Sequence, residues 1–171
     1  MKLALLSFSH HGHGIGLNVR DLGHEIVGEV AVVGPRAEGA VVGDKRIVYP
    51  WVGCGKCEIC ARGDENLCGT QRFLGTRAHG GYSDHVLVPH PRYLVDYEGI
   101  DDDIAGTYAC SGLTAYASLK KVASLGANDD IVMIGAGGVG LNAVHLAPAL
   151  VEAGIVVADI DAAKRQAALA A

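Results

Sequence analysis

The feature that most limits what this chain can become is a run of four cysteines, Cys54-x2-Cys57-x2-Cys60-x7-Cys68. Cysteines this close in sequence rarely lie apart in space. Four thiolates can close a tetrahedron around Zn2+ and leave no open position, which is what a structural metal site requires. Gly53, Gly55 and Gly63 allow the backbone to turn tightly enough to aim the sulfurs inward. The same spacing also answers to free buried thiols, to two disulfides and to an iron–sulfur cluster. Pairing neighbours at x2 spacing would close strained rings, so the pattern favours reduced, metal-bound cysteines in a reducing compartment.

The rest of the chain divides by composition near residue 120. Before that point, short β-like runs broken by Gly and Pro (Ile26–Val33, Arg46–Tyr49, Tyr82–Val88) predict a compact β-rich unit. After it, the apolar run Ile131–Ile134 leads into a helical stretch at Val139–Val151. A second apolar run, Ile155–Ala158, and a helix over Asp161–Ala171 follow. That order is the βαβ unit of a parallel sheet. The expected organisation is therefore a zinc-binding β-rich segment, residues 1–120, and an α/β segment, residues 121–171. Pro148 falls inside the predicted helix, where its missing N–H predicts a kink.

Between the first α/β strand and its helix lies Gly135-Ala136-Gly137-Gly138-Val139-Gly140, a G-x-G-x-x-G turn. Alone the motif is weak, but a preceding strand and a following helix are the context it needs. Its glycines allow the turn and a close approach by pyrophosphate, which the free N–H groups of the helix start then face. Asp159 comes directly after the second strand, where a carboxylate bonds the adenosine ribose and repels a 2′-phosphate. The expectation is NAD rather than NADP. A glycine turn that only packs helix on strand is the alternative.

Charge narrows the partners. The chain is 50% hydrophobic and 19% charged, with a formal net charge of −5. No basic run points to nucleic acid or to an anionic membrane surface. No apolar stretch reaches the roughly 20 residues of a membrane span. The run Leu3 to Leu6 is too short for a signal peptide. A cytoplasmic protein with a small-molecule partner is expected.

Two further stretches are unremarkable singly. His24 in Gly23-His24-Glu25 reads as a structural histidine, and Cys110 as a small buried apolar side chain. Their order changes that. Gly23-His24-Glu25-x2-Gly28 and Gly43-Asp44-Lys45 precede the cysteine loop. Gly80-Gly81-Tyr82-Ser83-Asp84, Cys110-x3-Thr114-Ala115-Tyr116 and the glycine turn with Asp159 follow it. From Gly23 to Ala171 the chain resembles the zinc-containing medium-chain alcohol dehydrogenases.

The resemblance implies a β-rich GroES-like domain followed by a partial Rossmann (βαβ) dinucleotide-binding unit. It implies hydride transfer between an alcohol/aldehyde pair and NAD. His24 and Cys110 would be ligands of a catalytic zinc, and Glu25 a carboxylate that approaches it. Thr114 and Val139 would lie against the nicotinamide, with Gly135, Gly137, Gly138 and Gly140 at the pyrophosphate. Asp159 and Lys164 would meet the adenosine ribose. A homo-oligomer is compatible with it.

The sequence departs from the family in two places. The family's third catalytic ligand is an upstream cysteine, and no cysteine precedes Cys54. Ser9-His10-His11-Gly12-His13 is the nearby polar cluster. The α/β segment carries only two strands of a Rossmann sheet, which would leave an apolar face uncovered. A truncated, non-catalytic zinc-stabilised module of the same family is thus the second reading. A zinc-free, NADPH-dependent quinone reductase relative is a third, opposed by the cysteine loop and Asp159.

Overall fold

The computed structural model describes residues 4–7 and 23–171, with the backbone alone for the first four. The stretch Ser9–His13 lies outside the described residues. By its internal contacts the chain forms two compact units, Met1–Ala109 and Cys110–Ala171.

The first unit is built on a five-stranded sheet, ordered β4-β1-β2-β3-β5 and antiparallel throughout. Its strands are β1 (Ala4–Ser7), β2 (Ile26–Val33), β3 (Lys45–Val48), β4 (His85–Val88) and β5 (Leu94–Val95). Three runs read as strands are present, one of them shortened. The expected Tyr82–Val88 begins only at His85. Ahead of it the Ser83 hydroxyl donates to the carbonyls of His85 (2.6 Å) and Gly80 (3.4 Å), and the Gly81 N–H is spent on the Gly23 carbonyl at 2.8 Å. These local bonds take up the Gly80 carbonyl and the Gly81 N–H ahead of the strand.

Side chains alternate across a strand, so the pairing of β2 with β3 feeds two cores. Ile26 faces Val48, and Val27 faces Ile47. Ile26 and Val48 join Val30, Val52, Leu74, Val86, Val88 and Tyr93 in one buried cluster. Val27 and Ile47 join Tyr97, Ala105, Tyr108 and Ala109 in the other. The second cluster is closed by the short helix α2 (Asp102–Ala105), after α1 (Glu58–Ala61) in the cysteine loop. Each fully buried valine or isoleucine contributes about 1.5–3 kcal/mol, so this pair of strands anchors the unit from both faces.

The second unit holds α3 (Ser111–Lys121), β6 (Asp130–Ile134), α4 (Gly138–Leu150), β7 (Gly154–Ala158) and α5 (Ala162–Ala170). Strands β6 and β7 pair in parallel with no register shift, from Asp130↔Gly154 to Ile134↔Ala158. The βαβ order read from the sequence is present, with boundaries moved by one residue. Helix α4 continues through Pro148, which lies in its last turn and is exposed. Alternate residues Ile131, Met133, Ile155 and Val157 are half-buried, whereas Val132, Ile134 and Val156 on the other face are exposed. A parallel sheet is ordinarily covered on both faces. Among the described residues, no helix is long and apolar enough to cross a membrane.

Candidate metal centre and nucleotide turn

The loop between Val52 and Cys68 folds back on itself through two short elements. Cys57 sits at the start of α1, and Cys68 ends a 3-10 turn over Glu65–Leu67. This brings all four sulfurs within 4.8 Å of one another. Individual separations are 3.5 Å for Cys57–Cys60 and 3.9 Å for Cys54–Cys60 and Cys57–Cys68. Sulfurs bound to one tetrahedral zinc at about 2.3 Å lie about 3.8 Å apart. Disulfide sulfurs lie about 2.05 Å apart. The spacing therefore fits a tetrathiolate metal site, and among the described residues no other group of metal-binding side chains comes together.

The sulfurs differ in their surroundings. The Cys68 sulfur accepts from the backbone N–H groups of Cys54 and Thr70, each at 3.4 Å. The Cys54 thiol falls to about 6, first because the Lys56 backbone N–H bonds its sulfur and then because the Cys57 N–H and neighbouring thiols do. The Cys60 thiol is pushed up to about 11, chiefly by burial and then by the same neighbouring sulfurs. One negative charge settled on Cys54 raises the cost of the next. A divalent cation removes that conflict by making all four deprotonate.

Gly53 has no room for a side chain. A Cβ there would stand 2.6 Å from the Cys60 sulfur and 3.1 Å from the Glu65 Cβ. Glu65, in turn, is the one buried charged side chain among the described residues. Its Oε2 accepts from the Gly53 N–H (2.8 Å) and the Tyr93 hydroxyl (2.7 Å), and its Oε1 accepts from Arg92 (2.5 Å). Burial raises the carboxyl's pKa, but the bonds from Tyr93 and Gly53 and the Arg92 charge outweigh it, and the net shift is downward. Sequence reasoning missed this network. Nothing in the sequence singles out Glu65, Arg92 or Tyr93.

Of the candidate catalytic residues, His24 and Glu25 belong to the first unit and Cys110 to the second. His24 and Glu25 lead into β2; the imidazole is half-buried and its ring lies 5.8 Å from that of Trp51, whereas Glu25 is exposed. Trp51 was also missed. It packs edge-on against Phe73 at 5.1 Å and donates from Nε1 to the Ala109 carbonyl at 3.0 Å. Cys110 belongs to the second unit, half-buried at the cap of α3, where its carbonyl accepts the Thr114 N–H at 2.9 Å.

In the second unit the glycine turn lies between β6 and α4. Gly135 has φ 97°, and its N–H donates to the Ala158 carbonyl of β7 at 2.7 Å. A Cβ on Gly140 would collide with the Gly135 carbonyl, so the helix can start this close to the strand only with glycine there. Gly137, at the cap of α4, makes no side-chain cap bond of its own, and a helix start of this kind is where an anion can be bound. Asp159 sits at the end of β7. Its Oδ2 accepts from the Ala136 N–H and its Oδ1 from the Asp161 N–H, both at 2.8 Å. These two bonds, Ala136 first, hold the carboxyl below the usual aspartate range. Thr114, Gly138, Val139 and Lys164 are exposed.

A loop whose four cysteine sulfurs converge, on an antiparallel β unit, is followed along the chain by a glycine-turn βαβ unit, and these two parts define the class of fold. Residues 11–98 match the alcohol dehydrogenase GroES-like domain family. The NAD-dependent alcohol dehydrogenase of Sulfurisphaera tokodaii is 40% identical over 153 residues, covering 86% of this chain and 44% of that protein. The enzyme of the same name from Sulfolobus acidocaldarius is 39% identical over 140 residues, covering 81% and 40%. Among solved structures, the alcohol dehydrogenase of Aeropyrum pernix superposes with a TM-score of 0.79 at 29% identity, covering 87% of this chain and 44% of that one. The acetophenone reductase of Geotrichum candidum, in complex with NAD, gives 0.80 at 27%, covering 98% and 53%. The chain belongs to the medium-chain alcohol dehydrogenase family, with a GroES-like domain and a Rossmann-type unit. It spans less than half the length of these two curated relatives, the Sulfurisphaera and Sulfolobus enzymes.

Proposed function

We propose that the chain is part of a zinc-dependent alcohol dehydrogenase that transfers hydride between an alcohol/aldehyde pair and NAD. The observation that carries this is the pairing of a glycine turn that opens a helix with Asp159, which is fixed by the Ala136 N–H beside that turn. Such a site suits a dinucleotide with an unmodified ribose. The pyrophosphate would take the N–H groups of Gly137, Gly138 and Val139. Asp159 and Lys164 would take the adenosine ribose, and Thr114 and Val139 would flank the nicotinamide.

Cys54, Cys57, Cys60 and Cys68 would hold a structural zinc. An imidazole and a thiolate are the donor types of a catalytic zinc, and His24 and Cys110 would supply them with Glu25 close by. When bound, that zinc supplies a Lewis acid that lowers the pKa of an alcohol, and NAD supplies the hydride acceptor. His24 would contribute a ring-nitrogen donor, its ring 5.8 Å from that of Trp51. The chain would act in the cytoplasm on a small alcohol or aldehyde.

A second reading, a zinc-stabilised module without catalysis, draws on one observation: among the described residues, the four cysteines are the metal-binding side chains that come together. Metal content and turnover separate the two. Two zincs per chain, with NADH formation from primary or secondary alcohols that His24→Ala abolishes, would support the enzyme. One zinc and no turnover with any alcohol would favour the module. Binding of NADP as tight as NAD would overturn the assignment of Asp159.

A further inference from the structure

A single residue, Glu65, contacts both ends of the cysteine loop, the first through its carboxylate and the last through its backbone. Glu65 reaches the first ligand through the N–H of Gly53, the residue before Cys54. It reaches the last through its own carbonyl, which accepts the Cys68 N–H at 3.1 Å. Its other partners come from outside the loop. Arg92 and Tyr93 lie in the 3-10 turn Pro91–Tyr93, which leads directly into β5. That turn is itself fixed, since His90 Nδ1 accepts the Arg92 N–H at 3.1 Å. Arg92 also donates to the Tyr93 hydroxyl at 2.5 Å, and the Tyr93 ring is buried in the main core.

We propose that Glu65 is a positioning residue for the metal of the cysteine loop: it holds the loop closed before the ion arrives and slows the ion's departure. This rests on the zinc reading above. Charge alone would not put a carboxylate here. Zinc with four thiolates keeps a net negative charge, and a second buried anion beside it is repelled. Burying a charge is also costly, and a well-packed apolar side chain often serves stability as well. What Glu65 offers instead is direction. Three donors converge on its two oxygens, and one of them is the backbone of a ligand's neighbour. Arg92 cancels the charge that this arrangement introduces. Closing a loop of this length costs chain entropy, and the network has met that cost before metal binds.

The test uses the full chain loaded with zinc and follows transfer of zinc to the chromogenic chelator 4-(2-pyridylazo)resorcinol. Glu65→Gln keeps the volume, but its amide has one acceptor oxygen and turns two donors toward a site already filled by donors. Release is expected to quicken about 10- to 100-fold, as for other groups that orient metal ligands. Tyr93→Phe removes one donor of three and is expected to give a smaller acceleration. Ile47→Val, in the other core cluster, is the control for lost stability without contact to the loop. Release from Glu65→Gln no faster than from wild type, or no faster than from Ile47→Val at equal loss of unfolding midpoint, would overturn the proposal. If Glu65→Gln does not fold, Tyr93→Phe decides by the same comparison. A wild-type chain that takes up no zinc would overturn the zinc reading and this proposal together. Zinc uptake with unchanged release in the variants would overturn this proposal alone.

Discussion

Adding one methyl group at Gly53 is expected to cost the chain its loop metal. A Cβ at that position stands 2.6 Å from the Cys60 sulfur and 3.1–3.2 Å from the Glu65 Cβ and Cγ. Comfortable contacts between heavy atoms begin at about 3.5 Å, so the sulfur or the backbone must shift by roughly 1 Å. Metal–ligand distances tolerate only about 0.2 Å. Glu65 cannot move aside either, because Arg92, Tyr93 and the Gly53 N–H fix it. Overpacking of this kind costs about 1–3 kcal/mol, before any loss of metal is counted. For a unit near 100 residues that is a fall of about 4–12 °C in midpoint, at about 4 °C per kcal/mol. Trp51 is the only tryptophan and packs on Phe73 in the first unit, so its emission follows this unfolding. Zinc content by elemental analysis is the second readout. Gly69→Ala is the control, since a Cβ there meets nothing within 4 Å although Gly69 adjoins Cys68. A Gly53→Ala chain with full zinc and a midpoint within about 1 °C of wild type would refute the steric reasoning.

Val48→Ala removes two methyl groups from a fully buried site in β3 and is expected to cost about 2 kcal/mol, measured by denaturant titration on Trp51 emission. An effect below about 0.5 kcal/mol, the scale of surface substitutions, would contradict the placement of the main core. Asp159 is expected to make the second unit acid-sensitive without nucleotide. Its folded pKa lies below the unfolded value near 3.9, so the unfolded chain takes up the proton more readily. Its stabilising contribution is then complete above that value and is lost as pH falls through the depressed folded pKa. Far-ultraviolet circular dichroism should show wild type more stable than Asp159→Ala near neutrality and the two converging in acid. A gap that widens on acidification would reverse the sign and refute the assignment.

The parts of the molecule that were legible in the sequence are those whose causes are local. Ile26–Val33 is a strand with the limits its β-branched residues suggest. The βαβ unit keeps its order because a buried apolar run, a glycine turn and a helix each announce themselves within a few residues. The sulfurs of the cysteine loop meet because the linkers are too short to let them separate. The strand expected from Tyr82 failed at its start for an equally local reason that composition hides. A serine hydroxyl two residues before a strand can donate to carbonyls on both sides of itself, and Ser83 does so. Strand β1 has no such signature. Four residues, Ala4–Ser7, are too few for a periodicity, and they are fixed by pairing to β2 and β4 on either side.

What stayed illegible is long-range and polar, and the metal loop depends on it. Glu65 meets Tyr93 and Arg92 across 28 and 27 residues of chain, and Trp51 meets the Ala109 carbonyl across 58. A glutamate among Asp64, Asn66 and Leu67 has the composition of a solvated turn. Nothing in its neighbourhood says that Gly53 will approach from the other end of the loop. Only the closed fold supplies three donors at once, and only those donors make burial of the charge tolerable. The cysteine spacing is legible first because it is local. The turn before β5, which receives Glu65, is not. Under the proposal above, the sulfurs would select the ion, and a residue that touches none would set how firmly the loop is shut around it.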